Sequence, residues 1–142
     1  MYFEDYAVDA VTVSRGRTIT EADIVNFAGL SGDFVELHVN AEYAKSGPFG
    51  RRIAHGALIF SISTGSLMQM QHDPDAIVAF YGVDRMRFTA PVFIGDTITA
   101  EAEVTSVHAT KPVTGLRIHV RRQDGEVVLD GEAWCYTFTP ST

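Results

Sequence analysis

Asp33 and His38 are the residues of this chain whose types and spacing best suit acid–base chemistry. They stand five residues apart, just after an amphipathic helical run. Seventeen residues beyond His38, His55 and Gly56 open a second, apolar run. A carboxylate and an imidazole that share one water can move its protons, and free amides at a helix N-terminus can bind an oxyanion. These are the parts needed to add water to a polarised carbon–carbon double bond, or to remove it.

Helical elements must place these residues, and the sequence marks where those elements begin. Thr20 and Asp23 fit a variant of the capping box at the start of the first helix. Asn40 is a suitable N-cap for a short helix over residues 40–45. The strongly apolar pattern of residues 55–71 predicts one long helix that is buried on most sides.

The rest of the pattern is typical of strands. Residues 12–19 favour β structure, and four longer strands are predicted over residues 76–88, 97–108, 116–122 and 127–138. The Asp124-Gly125 pair predicts a hairpin turn between the last two strands. The expected fold class is α+β: one domain over residues 1–142, with an antiparallel sheet wrapped around one long apolar helix.

The amino-acid composition excludes some kinds of binding partner and favours one cellular compartment. The formal net charge of −7, from 11 basic and 18 acidic side chains, argues against nucleic acid as a partner. Cys135 is the single cysteine, so no intrachain disulfide can form and a reducing compartment is favoured. The N-terminal residues lack the pattern of a signal peptide, and no apolar run is long enough to cross a bilayer. We therefore expect a cytoplasmic protein that has no membrane or nucleic-acid partner.

Several motifs resemble the MaoC-like acyl-CoA dehydratases, a family with the hotdog fold that includes the R-specific enoyl-CoA hydratases. They are SGDFVELH at residues 31–38, FGRRIAHG at 49–56, and RFTAPVFIGDTITAEAEV at 87–104. The resemblance extends over residues 18–132. It implies that Asp33 and His38 hold the reacting water, with His38 as base and Asp33 as proton donor to C2. It also implies that the amide of Gly56 binds the thioester oxygen, with glycine leaving room for the thioester to approach.

The family pattern usually reads Ser-Gly-Asp-x-Asn-Pro-x-His, and Val35-Glu36 replaces the Asn-Pro pair here. This difference indicates a catalytic pair in an altered pocket. Five residues are expected near the substrate: Ser31, Val35, His55, Thr64 and Arg87. Thr64 keeps a hydroxyl where some relatives carry serine. For His55, the favoured role is to shape the start of the helix.

The phosphates of coenzyme A need a cation, for which Arg87 is preferred among five basic residues: Arg51, Arg52, Arg85, Arg87 and Lys111. No metal site is expected, because His72, His108 and His119 lack a metal-ligand arrangement and the chain has a single cysteine. No cofactor is expected either, since coenzyme A enters as part of the substrate.

The resemblance therefore predicts reversible hydration of trans-2-enoyl-CoA to (R)-3-hydroxyacyl-CoA by a hydro-lyase. Two alternatives stay open: a hotdog acyl-CoA thioesterase, and a non-catalytic acyl-CoA-binding partner subunit. An unpaired edge strand is commonly covered by pairing with another chain, so a homodimer or a larger homo-oligomer is expected, with the acyl-CoA site at the interface.

Overall fold

The computed structural model describes residues 7–70 and 77–138. Six strands form one antiparallel sheet in the order β1-β4-β5-β6-β3, and β2 also pairs with β4. The strands are β1 (Val11–Val13), β2 (Arg17–Thr18), β3 (Ile77–Arg87), β4 (Thr97–Val107), β5 (Val113–Arg122) and β6 (Val127–Phe138). Four helices lie between β2 and β3: α1 (Glu21–Ser31), α2 (Glu36–Val39), α3 (Ala41–Lys45) and α4 (Gly56–Met68).

The predicted caps at the helix starts are confirmed. The Thr20 side chain accepts a hydrogen bond from the Asp23 amide, and the Asp23 carboxylate accepts one from the Thr20 amide. Asn40 accepts from the Tyr43 amide and caps α3. These local bonds fix where α1 and α3 begin, so they also fix the ends of the segment that carries Asp33 and His38.

Alternation along the strands builds the core. Every second residue of β4, from Ile98 to Val104, is buried against α4, while the residues between them face away. The hairpin between β5 and β6 turns at Asp124-Gly125 as predicted, with Gly125 at φ +85°. The Arg122 guanidinium donates to Asp124 and lowers the pKa of that carboxyl. The core side of the sheet therefore forms the surface on which α4 lies.

Helix α4 is less enclosed than its composition predicts. Leu58, Ile59 and Ile62 are buried in the core, but Ala57 and Ser61 lie on a side that solvent reaches. Small residues supply that exposed side, so the apolar pattern alone overstates the burial. The helix ends at Met68, whereas residue 71, His72 and the expected first residue of β3 lie outside the described residues.

The structure adds helix α2, which the sequence pattern did not predict. Its four residues carry His38. Within the described residues, no helix is long and apolar enough to span a membrane.

Candidate active site

Asp33 lies in the tight reversal that follows α1. Gly32 ends the helix at φ +79°, a left-handed conformation that glycine adopts readily. The Ser31 hydroxyl donates to the Phe27 carbonyl at 2.7 Å and accepts from the Asp33 amide at 3.2 Å. One Asp33 carboxylate oxygen accepts from the Val35 amide at 3.3 Å. Ser31 therefore shapes the turn that presents Asp33, and the carboxylate keeps its second oxygen for another partner.

His38 is held by main-chain groups that precede α4. Its Nδ1 lies 2.8 Å from the Ile53 carbonyl oxygen. A carbonyl can only accept, so Nδ1 carries the hydrogen and Nε2 is the nitrogen left to act as a base. The Arg52 side chain donates to the His38 carbonyl at 2.7 Å and to Glu21 at 2.6 Å. Arg52 thus braces the segment around His38, although the sequence suggested it only as a phosphate ligand.

His55 lies directly beside the pair. It is 2% exposed, its Nε2 lies 2.9 Å from the Asp33 carbonyl oxygen, and its ring stacks on that of His38 with centroids 3.8 Å apart. The ligand-type atoms of Asp33, His38 and His55 all lie within 4.8 Å of one another. The structure therefore brings together the two residues that the spacing singled out, and adds a third.

Gly56 is the first residue of α4, and within the described residues its amide has no hydrogen-bond acceptor. A Cβ at this position would lie 2.8 to 2.9 Å from ring carbons of Phe88. That distance is well below ordinary carbon–carbon contact. The expected reason for glycine was room for a substrate to approach, but the space beside its Cα is filled by Phe88. A ligand must reach the amide from another direction.

The remaining candidate residues are spread around this centre. Val35 caps α2 without a side-chain hydrogen bond and is 58% exposed beside Asp33. Arg87 is the last residue of β3 and directly precedes Phe88. It has no carboxylate partner among the described residues and donates to the Met86 carbonyl. Val35 therefore puts an apolar side chain beside Asp33, and Arg87 is an exposed cation next to Phe88 in the sequence.

Thr64 lies further along α4 than the start of the helix, where Asp33, His38 and His55 come together. It is eight residues beyond Gly56, which is about 12 Å along a helix. Its hydroxyl donates to the Ser61 carbonyl at 2.7 Å. Thr64 lines an apolar cavity of about 70 Å³ between α4 and the sheet, together with Leu67, Ile118 and Cys135.

Burial raises the pKa of the Cys135 thiol to about 11, which keeps the thiol uncharged at neutral pH.

The group of Asp33, His38 and His55 also has the residue types of a metal site. Imidazole lone pairs lie in the ring plane and must converge on an ion about 2.0–2.1 Å away. The two rings here are stacked, with an interplanar angle of 26°, so the lone pairs of their nitrogens lie in two separate, nearly parallel planes and do not converge on one ion. The stacked arrangement therefore lacks the convergent geometry of a metal site.

Comparison with known proteins identifies the family. The sequence model of the MaoC like domain matches residues 6–123. The chain belongs to the MaoC-like family. It is 40% identical over 132 residues to an (R)-specific enoyl-CoA hydratase of Rhodospirillum rubrum, an alignment that covers 93% of this chain and 88% of the relative.

Solved structures of MaoC-like proteins and of related chains superpose closely. The (R)-hydratase of A. caviae involved in PHA biosynthesis matches with a TM-score of 0.82 at 32% identity, over 96% of this chain and 99% of that one. A structure named monoamine oxidase regulatory protein, from Archaeoglobus fulgius, matches with a TM-score of 0.87 at 38% identity, over 99% and 96%. The predicted hotdog fold is confirmed. The MaoC-like chain is a hydratase or dehydratase, an enzyme of the hydro-lyase class.

Proposed function

We propose that this MaoC-like enzyme reversibly hydrates trans-2-enoyl-CoA to (R)-3-hydroxyacyl-CoA, with one water held by Asp33 and His38. The observation that carries the proposal is the convergence of the Asp33 carboxylate and the His38 ring to within 4.8 Å, beside the start of α4. The relative from Rhodospirillum rubrum, which bears the name of that activity, supports the choice of substrate class.

The proton transfers follow from the hydrogen bonds. Because Nδ1 of His38 donates to Ile53, its Nε2 takes a proton from the water as the oxygen bonds to C3 of the substrate. The carboxyl of Asp33 delivers a proton to C2, and the carbon–carbon double bond becomes a single bond. Transfer of the proton from His38 to Asp33 then restores the pair.

The developing enolate places negative charge on the thioester oxygen. The Gly56 amide at the first position of α4, a helix of 13 residues, is our candidate to bind it. Unpaired amides and the helix dipole both favour an anion there. Because Phe88 fills the space beside the Gly56 Cα, the thioester oxygen reaches the amide from the side opposite that ring.

The coenzyme A part of the substrate needs a contact for its phosphates. Arg87 is the proposed contact for the coenzyme A phosphates, since it is exposed and has no carboxylate partner among the described residues. No metal or further cofactor takes part in the proposed reaction, because the proton transfers and charge stabilisation described above require only side chains and an amide.

A homodimer is part of the proposal. β3 has 11 residues and lies at the edge of the sheet. Phe80, Tyr81 and Val83 on this strand are 46 to 62% exposed. A long apolar edge strand is a liability for a monomer, and pairing with β3 of a second copy would cover it. Light scattering coupled to size exclusion tests this, and a monomer at micromolar concentration would contradict it.

The direct test is to incubate the protein with crotonyl-CoA and follow the loss of enoyl-thioester absorbance. Chiral analysis of the product should give the (R)-3-hydroxy form. Release of free thiol without hydration would instead identify a thioesterase. Binding without turnover across a panel of acyl chain lengths would identify a non-catalytic subunit.

A further inference from the structure

His55 has contacts that the proposed reaction does not use. Its ring is packed between Phe27, with centroids 4.9 Å apart, and His38, with centroids 3.8 Å apart. Its Nε2 pairs with the Asp33 main-chain carbonyl at 2.9 Å. Only 2% of the residue is exposed. One buried side chain therefore contacts both members of the candidate catalytic pair, one through a hydrogen bond and the other through its ring face.

The hydrogen bond determines which ring nitrogen of His55 carries hydrogen. A carbonyl oxygen accepts, so Nε2 is the donor. Nδ1 is buried and has no hydrogen-bond partner within the described residues. His55 is thus arranged as a fixed donor to Asp33 rather than as a group that exchanges protons with a substrate.

The two contacts constrain different degrees of freedom. Donation to the Asp33 carbonyl fixes the main chain from which the carboxylate projects. Stacking fixes the plane of the His38 ring, whose Nδ1 is already bound to the Ile53 carbonyl. With its plane and one nitrogen fixed, the remaining nitrogen of His38 has a defined direction. Errors of about 1 Å in such geometry can cost about 10²-fold in rate.

We infer that His55 is a positioning residue that sets the distance and orientation between Asp33 and His38 without contacting the substrate. This inference rests on the proposed hydratase function and deepens it. It places the His55 side chain behind the pair rather than at the substrate, while the residue itself stands at the start of α4, as the sequence suggested.

Two substitutions separate the contacts. His55→Phe keeps an aromatic ring for stacking but removes the donor to Asp33, whereas His55→Gln keeps an amide donor and removes the ring. Each should lower kcat on crotonyl-CoA by about 10- to 100-fold, with KM changed less than about two-fold. Val120→Ala, a truncation in the buried core away from the pair, is the control for lost stability. It should lower Tm while leaving kcat of the folded protein unchanged.

A double-variant cycle gives a readout that a purely structural role would not move. If His55 acts through Asp33, adding His55→Phe to Asp33→Asn should cost less than three-fold beyond Asp33→Asn alone. A further loss equal to that of His55→Phe in the wild-type background would overturn the inference. So would wild-type kcat in both single variants, or a kcat loss that Val120→Ala reproduces. If the wild-type protein fails to hydrate any enoyl-CoA, the proposed function itself fails, and this outcome is distinct from all of the others.

Discussion

Gly56→Ala is the substitution whose effect can be worked most directly from the structure. The added Cβ would lie 2.8 Å from Cγ and 2.9 Å from both Cδ atoms of Phe88. Favourable carbon–carbon contact is about 3.5–4.0 Å, so the ring must move by much of an ångström. Because Cγ is close to the backbone, rotation of the ring alone does not relieve the clash. Overpacking of this kind typically costs about 1–3 kcal/mol.

The expected result is a lower Tm together with impaired turnover. A domain of this size loses about 2–4 °C per kcal/mol of unfolding free energy. Ring displacement also shifts the first turn of α4, and with it the amide proposed to bind the thioester oxygen. The measurements are thermal unfolding by circular dichroism and hydration of crotonyl-CoA, made on the same preparations.

Phe88 supplies the matched control. It is 53% exposed, so Phe88→Ala should be tolerated with only a modest loss of stability. In the double variant Gly56→Ala/Phe88→Ala the clash is absent, and both Tm and kcat should recover to the values of Phe88→Ala alone. If Tm recovers while activity does not, Gly56 is needed as open space for substrate, as the sequence first suggested. If Gly56→Ala alone leaves Tm unchanged, the packing argument is refuted.

Three further predictions concern the pair, its flank and the core. Asp33→Asn and His38→Ala should each lower kcat about 10²–10⁴-fold with the circular dichroism spectrum unchanged; near-normal rates in either would remove that residue from the mechanism. Val35 is 58% exposed, so Val35→Asn should leave Tm within about 2 °C. It should raise kcat on crotonyl-CoA about five-fold, which is the effect of one added hydrogen bond of about 1 kcal/mol to the reacting water. An unchanged rate would show that the Asn side chain does not reach that water. The pKa of Cys135 is raised from 9.0 to about 11, so its contribution is present below pH 9 and is lost as pH rises toward 11. Cys135→Ala should therefore remove about 2 kcal/mol of the loss in unfolding free energy between about pH 8 and pH 10.5. An equal loss in both proteins, measured by denaturant titration at these two pH values, would contradict the burial argument.

Local signals in the sequence predicted much of the fold. The caps at Thr20 and Asn40 and the turn at Asp124-Gly125 depend on side chains bonding to backbone a few residues away, so composition and spacing suffice. Alternation predicted β6 over residues 127–138, the bounds that the structure gives. Helix α2 was missed because four residues are too few for a helical period to appear, and its N-cap, Val35, has no capping side chain.

The site was predictable only in part, for a related reason. Residue types and spacing identified Asp33 and His38, but the groups that orient them are distant in sequence or belong to the main chain. The Ile53 carbonyl has no side-chain signature, and the His55 contacts depend on the packing of α4 against the end of α1. The contact between Gly56 and the ring of Phe88 was not predicted, because Phe88 is contributed from 32 residues away.

The way the pair is held explains how the Val35-Glu36 difference can be accommodated. The Asp33 carboxylate accepts from the Val35 amide, which any residue except proline supplies, and its carbonyl accepts from His55. His38 is bound to the Ile53 carbonyl. None of these contacts uses the side chain at position 35 or 36. The substitution therefore alters the surface beside Asp33 while leaving the positions of Asp33 and His38 intact. Under the proposed mechanism, a change of preferred acyl group is more consistent with this geometry than a loss of the reaction.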